Sequence, residues 1–147
     1  MGKRRKAREC ALQVLFQLEF NTTDPEPVIR RYWKYQKVTD DVRVYGNWLI
    51  EGIRAHATEV DAAIQSASVN WRIPRMAVVD RNILRIAVYE LLFEKALVPA
   101  IVINEAIEIA KKYSGDEASV FINGILDAVR KTLQAGKDPS KEGTDGK

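Results

Sequence analysis

From Ala7 to Leu133 the apolar residues of this chain recur three and four positions apart, and no segment shows convincing period-two alternation. Such a chain can bury one stripe per helix but cannot build the half-buried face of a sheet. The expected fold class is therefore all-α: a compact bundle of about six to eight helices, delimited by breakers. In the first segment Ala7, Cys10, Ala11, Val14, Leu15 and Leu18 form one stripe, with Leu12, Phe16 and Phe20 beside it. Asp24 before Pro25 predicts a cap and a first helical position, because a proline there loses no hydrogen bond. Val28, Ile29, Tyr32 and Trp33 mark the short helix that follows. Thr39 predicts the next start, with Asp40 and Asp41 at the positive end of the helix dipole. Thr58 with Asp61 reads as a variant capping box, and Pro74 as a further start. Val79, Ile83, Ile86, Ala87 and Leu91 make a strong core face that Pro99 ends. The β-branched run at 98–103 is ambiguous. A helix beginning near Ile103 is then expected, with Ile103, Ala106, Ile107, Ala110 and Tyr113 facing inward. Gly115 suits its C-terminal cap, and a last helix runs through Leu133.

The 147 residues fit one domain over residues 1–135, with a basic arm at about 1–8. After Gly136 no apolar residue occurs, so 136–147 are expected to be a disordered polar tail. No apolar run approaches the ~18 residues of a membrane span. The N-terminus lacks an apolar signal core, and a cytoplasmic location is the expectation. Cys10 is the only cysteine, which excludes an intrachain disulfide.

Charge is unevenly placed. The chain carries 23 Lys+Arg against 20 Asp+Glu, a formal net charge of +3. Setting aside Lys3, Arg4, Arg5, Lys6 and Arg8 leaves 18 against 20, so the excess sits on the arm, where no acid precedes Glu9. Clustered arginine and lysine on a helical support suit a phosphate backbone; a solvated basic terminus is the plain alternative. Tyr113 beside Ser114–Gly115, and Phe121 near the next helix start, are aromatics on which unstacked bases can pack, although the spacing of Phe121 also suits the core. Catalytic signals are thin. His56 is the one histidine and has no partner at metal spacing. No glycine-rich phosphate loop follows a strand. Glu105 and Glu108 lie three apart on one helix but read as a solvated face within reach of Lys111 and Lys112. No enzyme activity, metal or cofactor is expected.

Three blocks carry a family resemblance: RRKARECALQVLFQ at Arg4–Gln17, VDRNILRIAVYEL at Val79–Leu91, and Ile103–Asp127 with INEAIEIAKKY and SVFINGILD. In this order they resemble the NusB family of bacterial transcription antitermination factors. The resemblance implies two helical subdomains packed around a shared core. It also implies binding of single-stranded boxA RNA in ribosomal-RNA leader transcripts, together with NusE, a ribosomal small-subunit protein. The pair would then join the RNA polymerase antitermination complex. By the same resemblance, Lys3, Arg4, Arg5, Lys6 and Arg8 match the family's arginine-rich RNA contact. Phe16 stands where a tyrosine is usual, keeping the ring without the hydroxyl. Tyr113, Glu117 and Phe121 match positions near the RNA path, and Asp80 an acidic position near the NusE side. A homodimer that covers the basic surface stays open. So do two other readings: a self-associating or adaptor protein, and a stand-alone relative of the RNA-binding module of ribosomal-RNA cytosine methyltransferases. No catalytic domain follows in this sequence, so methyl transfer is not expected.

Overall fold

The computed structural model describes residues 2–21 and 23–141 and contains seven α-helices, with no strand among them. These are α1 (Gly2–Glu19), α2 (Pro25–Lys34), α3 (Asp40–Ala55), α4 (Ala57–Ala67), α5 (Val78–Phe93), α6 (Pro99–Tyr113) and α7 (Asp116–Gln134), with a 3₁₀ turn at Ile73–Arg75 before α5. The basic arm forms the first two turns of α1. The all-α expectation holds.

The hub is α5, which packs against α1, α3, α4, α6 and α7. Its sequence explains the position. From Asn82 to Leu91 every residue except Arg85 is buried, as a helix apolar on nearly all sides must be. Around it Val14, Leu49, Ile50, Ile64, Leu84, Ile122 and Leu126 join one continuous core. Each such side chain contributes about 1.5–3 kcal/mol on burial. The predicted stripe of α1 is buried from Ala7 to Leu15, while Phe16 and Phe20 lie outside, their rings 5.1 Å apart. Helix α3 crosses α1 at the root of the arm. A Cβ on Gly46 would lie 2.8 Å from Cη2 of Trp33 and 3.3 Å from the Ala7 carbonyl, so only glycine allows this approach.

Some boundaries differ from the pattern. The Asp24 cap forms, its side chain accepting from the Glu26 amide at 3.1 Å. The Thr58–Asp61 capping box does not: α4 starts at Ala57, and Asp61 instead takes Arg85 Nε at 2.9 Å. Pro74 opens only the 3₁₀ turn, and α5 begins at Val78. Helix α6 starts at Pro99, four residues before Ile103, because a proline at the first helical position costs no bond and the β-branched residues after it pack inward at Val102 and Ile103. Beyond Gly136 the chain is placed as far as Lys141. There Pro139 is buried, and its carbonyl accepts from Ser66 Oγ of α4 at 2.8 Å. Residues 142–147 lie outside the described residues.

A polar network ties the end of α1 to the hub. The Glu19 carboxylate accepts from Arg81 Nη2 at 2.7 Å, Arg85 Nη1 at 2.9 Å and Asn82 Nδ2 at 3.0 Å. The Arg81 hydrogen bond, helped by Asn82 and the charge of Arg85, holds the Glu19 carboxyl at about 2, against an ordinary 4.5. A carboxyl depressed in the folded state stabilises fully above its unfolded value and loses that contribution as pH falls through the folded one. Stability from Glu19 is therefore complete above about pH 4.5 and declines toward pH 2. Urea titrations at descending pH are expected to show this acid limb and to show it flattened in Glu19→Gln; an identical limb in the variant would remove Glu19 as its source.

Candidate nucleic-acid interface

The arm is helical because its residues are good helix formers and because the bundle grips two of them. Arg5 makes a two-pronged contact with Glu105, Nε to Oε1 and Nη2 to Oε2 both at 2.8 Å. Arg8 is 3% exposed; its Nε lies 3.0 Å from both Glu90 oxygens, and its Nη1 lies 3.4 Å from Glu105 Oε1. The Tyr45 hydroxyl donates to the remaining side of Glu90. Burial, with the neighbouring Glu90 charge, pushes the Tyr45 hydroxyl up, which keeps its proton in place as donor. The Arg5 hydrogen bond holds the Glu105 carboxyl below its ordinary range.

Two expectations change here. Arg8, matched to the RNA contact, is a core cation held by Glu90 of α5 and Glu105 of α6. Glu105, read as part of a solvated face, is 1% exposed. Burying an acid at that depth requires a cation, and the arm supplies it. One local signal pointed this way: Glu90 stands inside the apolar run Tyr89–Phe93, where an unpaired carboxylate is not tolerated.

The cations that face outward are Lys3, Arg4 and Lys6. Lys3 meets Asp41 at 3.0 Å, an exposed pair of small energetic worth. Arg4 lies over the Tyr45 ring, 3.9 Å from its centroid, which orients the guanidinium without using its hydrogen-bond donors. Lys6 is exposed and has no ion-pair partner among the described residues. Three carboxylates (Asp41, Glu90 and Glu105) thus face the five arm cations, and the outward charge is smaller than the sequence alone implies.

Lys112 on α6 reaches Glu9 at 3.1 Å and sits 5.2 Å from the centroid of Tyr113. Tyr113, expected to face inward, is 38% exposed. With Phe16 it borders a groove of about 340 Å³ floored by Leu12 and Val79 and edged by Gln13 and Gln17. The chain then turns sharply. Gly115 has φ +123°, a conformation that side chains resist, and its amide reaches the Ala110 carbonyl at 2.8 Å. This turn sets α7 against the start of α5. It brings Asp80, Ser114, Glu117 and Phe121 into one cleft of about 360 Å³, where Ser114 Oγ donates to Asp80 Oδ1 at 2.6 Å. Asp80, matched to a partner side, therefore shares a cleft with Glu117 and Phe121, matched to the RNA path. Phe121 is half-buried against the core, as its spacing suggests, and also lines this cleft. Trp71 and Arg75, from the 3₁₀ turn and the loop before it, complete the wall; periodicity passes over them because they belong to no stripe.

An all-α body bearing a cation-led track of aromatic clefts has the architecture of a binding protein. The NusB family model matches residues 5–131. The chain is 42% identical over 144 residues to the transcription antitermination protein NusB of Anaeromyxobacter dehalogenans, with 97% of each chain covered. It belongs to the NusB family of transcription antitermination factors, which are not enzymes. Among solved structures, NusB of T. maritima superposes with a TM-score of 0.78 at 35% identity, covering 95% of both chains. A structure of antitermination factors NusB and NusE in complex with double-stranded RNA superposes at 0.80 with 29% identity, covering 90% of this chain and 98% of that one. No helix of the described residues is long and apolar enough to cross a membrane.

Proposed function

We propose that this chain binds the boxA element of nascent ribosomal-RNA leader transcripts together with NusE, and that the pair joins the RNA polymerase antitermination complex. The observation that carries this reading is the outward set Lys3, Arg4 and Lys6 on the first turns of α1, the helix that also lends Phe16 to the Phe16–Tyr113 groove, with the Glu117–Phe121 cleft lined by the residues that follow Tyr113. The cations take phosphates and supply affinity that is indifferent to sequence. The rings take unstacked bases, and Glu117 accepts from base edges, which supplies preference. Arg5 and Arg8 act in this scheme by holding the arm helical. NusE docks on an adjoining face, near Asp80 at the cleft's edge, and each partner raises affinity for the other because coupling free energy is reciprocal. A single strand fits exposed rings better than a duplex, whose bases are already stacked.

Fluorescence anisotropy with a labelled boxA-like strand, a scrambled strand and a duplex, with and without NusE, tests this. With NusE present the boxA strand is expected to bind at least tenfold tighter than the scrambled one. Phe121→Ala is expected to weaken binding of the boxA strand by roughly 1–3 kcal/mol, the worth of one stacked base, in protein shown by its melt to be folded. Equal binding of both strands by the NusE complex would sink the sequence-specific reading, and tighter binding of the duplex would sink the single-strand one.

A further inference from the structure

Trp71 is 52% exposed, yet its backbone is firmly held. Its carbonyl accepts from Ser68 Oγ at 2.7 Å and from Gln65 Nε2 at 2.8 Å, while Gln65 Oε1 takes the Ile73 amide at 2.9 Å. Ser68 is itself buried. A large ring is thus kept at the surface by a loop pinned to the end of α4, and no aromatic pair of the described residues includes it. Holding a ring ready in this way lowers the ordering cost of whatever packs on it. Arg75 stands exposed on the same wall without an ion-pair partner among the described residues. Across the cleft are Phe121 and the carboxylates of Glu117 and Asp80, the latter already accepting from Ser114.

We infer that this cleft receives one unstacked base of the bound RNA strand on the Trp71 ring, with Arg75 on the adjoining phosphate and Glu117 accepting from the amino edge of the base. The inference rests on the RNA-binding reading above and adds two residues to it. Three observations favour a base over a protein side chain. The volume of about 360 Å³ is at the small end of ligand pockets, with room for one planar heterocycle. A flat π face, a free guanidinium and a carboxylate acceptor together match the three parts of a nucleotide. The cleft also neighbours the Phe16–Tyr113 groove, whose lining residues Val79 and Tyr113 are followed in the chain by Asp80 and Ser114 of the cleft. An ionised carboxylate only accepts, so Glu117 favours adenine, cytosine or guanine over uracil, whose single N–H lies between two carbonyls.

The test uses the full chain with NusE and reads RNA anisotropy and indole emission in one titration, comparing wild type with Trp71→Phe and Trp71→Ala. Single-stranded RNA is expected to quench wild-type emission, and most of that quench is expected to vanish in Trp71→Phe. Trp71→Ala should weaken RNA binding about tenfold, Trp71→Phe much less, and Arg75→Ala should lower the salt slope by about 0.7 units, one phosphate contact on a single strand. Because the ring is half-exposed, both Trp71 variants are expected to melt like wild type. Tight RNA binding with the quench unchanged in Trp71→Phe, or with Trp71→Ala indistinguishable from wild type, overturns the pocket and leaves the RNA-binding reading standing. A quench produced by NusE alone, to which RNA adds nothing, makes the cleft a protein contact and also overturns it. Absence of RNA binding by wild type removes both.

Discussion

Arg8→Ala is expected to cost about 3–5 kcal/mol of folding stability, the largest single-residue effect predicted for this chain. The loss does not come from an attractive contact alone. Glu90 and Glu105 are each 1% exposed, and removing Arg8 leaves the first with only the Tyr45 hydroxyl as partner. A buried carboxylate without a cation either stays charged at high cost or takes up a proton. Against a typical total of ~5–15 kcal/mol, this brings the protein close to its unfolding threshold. Urea denaturation measures it directly. The control is Arg8→Met with Glu90→Leu, which removes the charge together with its partner while Glu105 keeps Arg5; it should recover most of the loss, since apolar replacement of a buried pair is often neutral. A cost below about 1 kcal/mol for Arg8→Ala would show that the network does not hold the arm against the bundle.

Arg4→Ala combined with Lys6→Ala is expected to act on binding instead. Both side chains are exposed, so stability should change by no more than about 1 kcal/mol, mostly from the lost contact of Arg4 with the Tyr45 ring. Affinity for single-stranded RNA should fall by up to about a hundredfold, the worth of two charge-assisted hydrogen bonds of ~1.5 kcal/mol each. The slope of log K against log salt should fall by about 1.4 units for two lost phosphate contacts on a single strand. Arg5→Ala should behave differently. It loses stability because Glu105 loses its two-pronged partner, and it changes the salt slope less because its guanidinium fork is already engaged. Salt slopes reduced equally by Arg5→Ala and by either outward substitution would mean that the arm leaves Glu105 when RNA arrives.

The contrast between these variants marks where local reading ended. Five cations with no acid before Glu9 looked like unmixed positive charge, because the sequence window held no carboxylate. The acids that neutralise Arg5 and Arg8 lie 100 and 82 residues away along the chain. Nothing in the arm's own sequence distinguishes Arg8 from Arg4, which lie one turn apart on the same face of α1; only the packing decides that Arg8 reaches the Glu90 and Glu105 carboxylates of α5 and α6 while Arg4 stops over the Tyr45 ring. The same holds for Asp61, whose position suited a cap until Arg85 from α5 offered a two-pronged partner. Trp71 and Arg75 escape the helical pattern for a different reason. They lie in a connection, where periodicity says nothing about which ring faces a cleft.

The sequence by itself determined the helices, the Asp24 and Gly115 punctuation, the inward stripe of α1, the family and the presence of a basic head. These follow from interactions between residues three and four apart, whose geometry is the same wherever the helix is placed. Only the tertiary structure decided which arm cations are sealed and which face solvent. It also decided that Phe16 and Tyr113 share one groove, and that Asp80, Glu117 and Phe121 share a cleft with Trp71. Those are contacts between helices distant in the chain, set by how α1, α6 and α7 pack on α5, and a spacing rule along one helix carries no information about them.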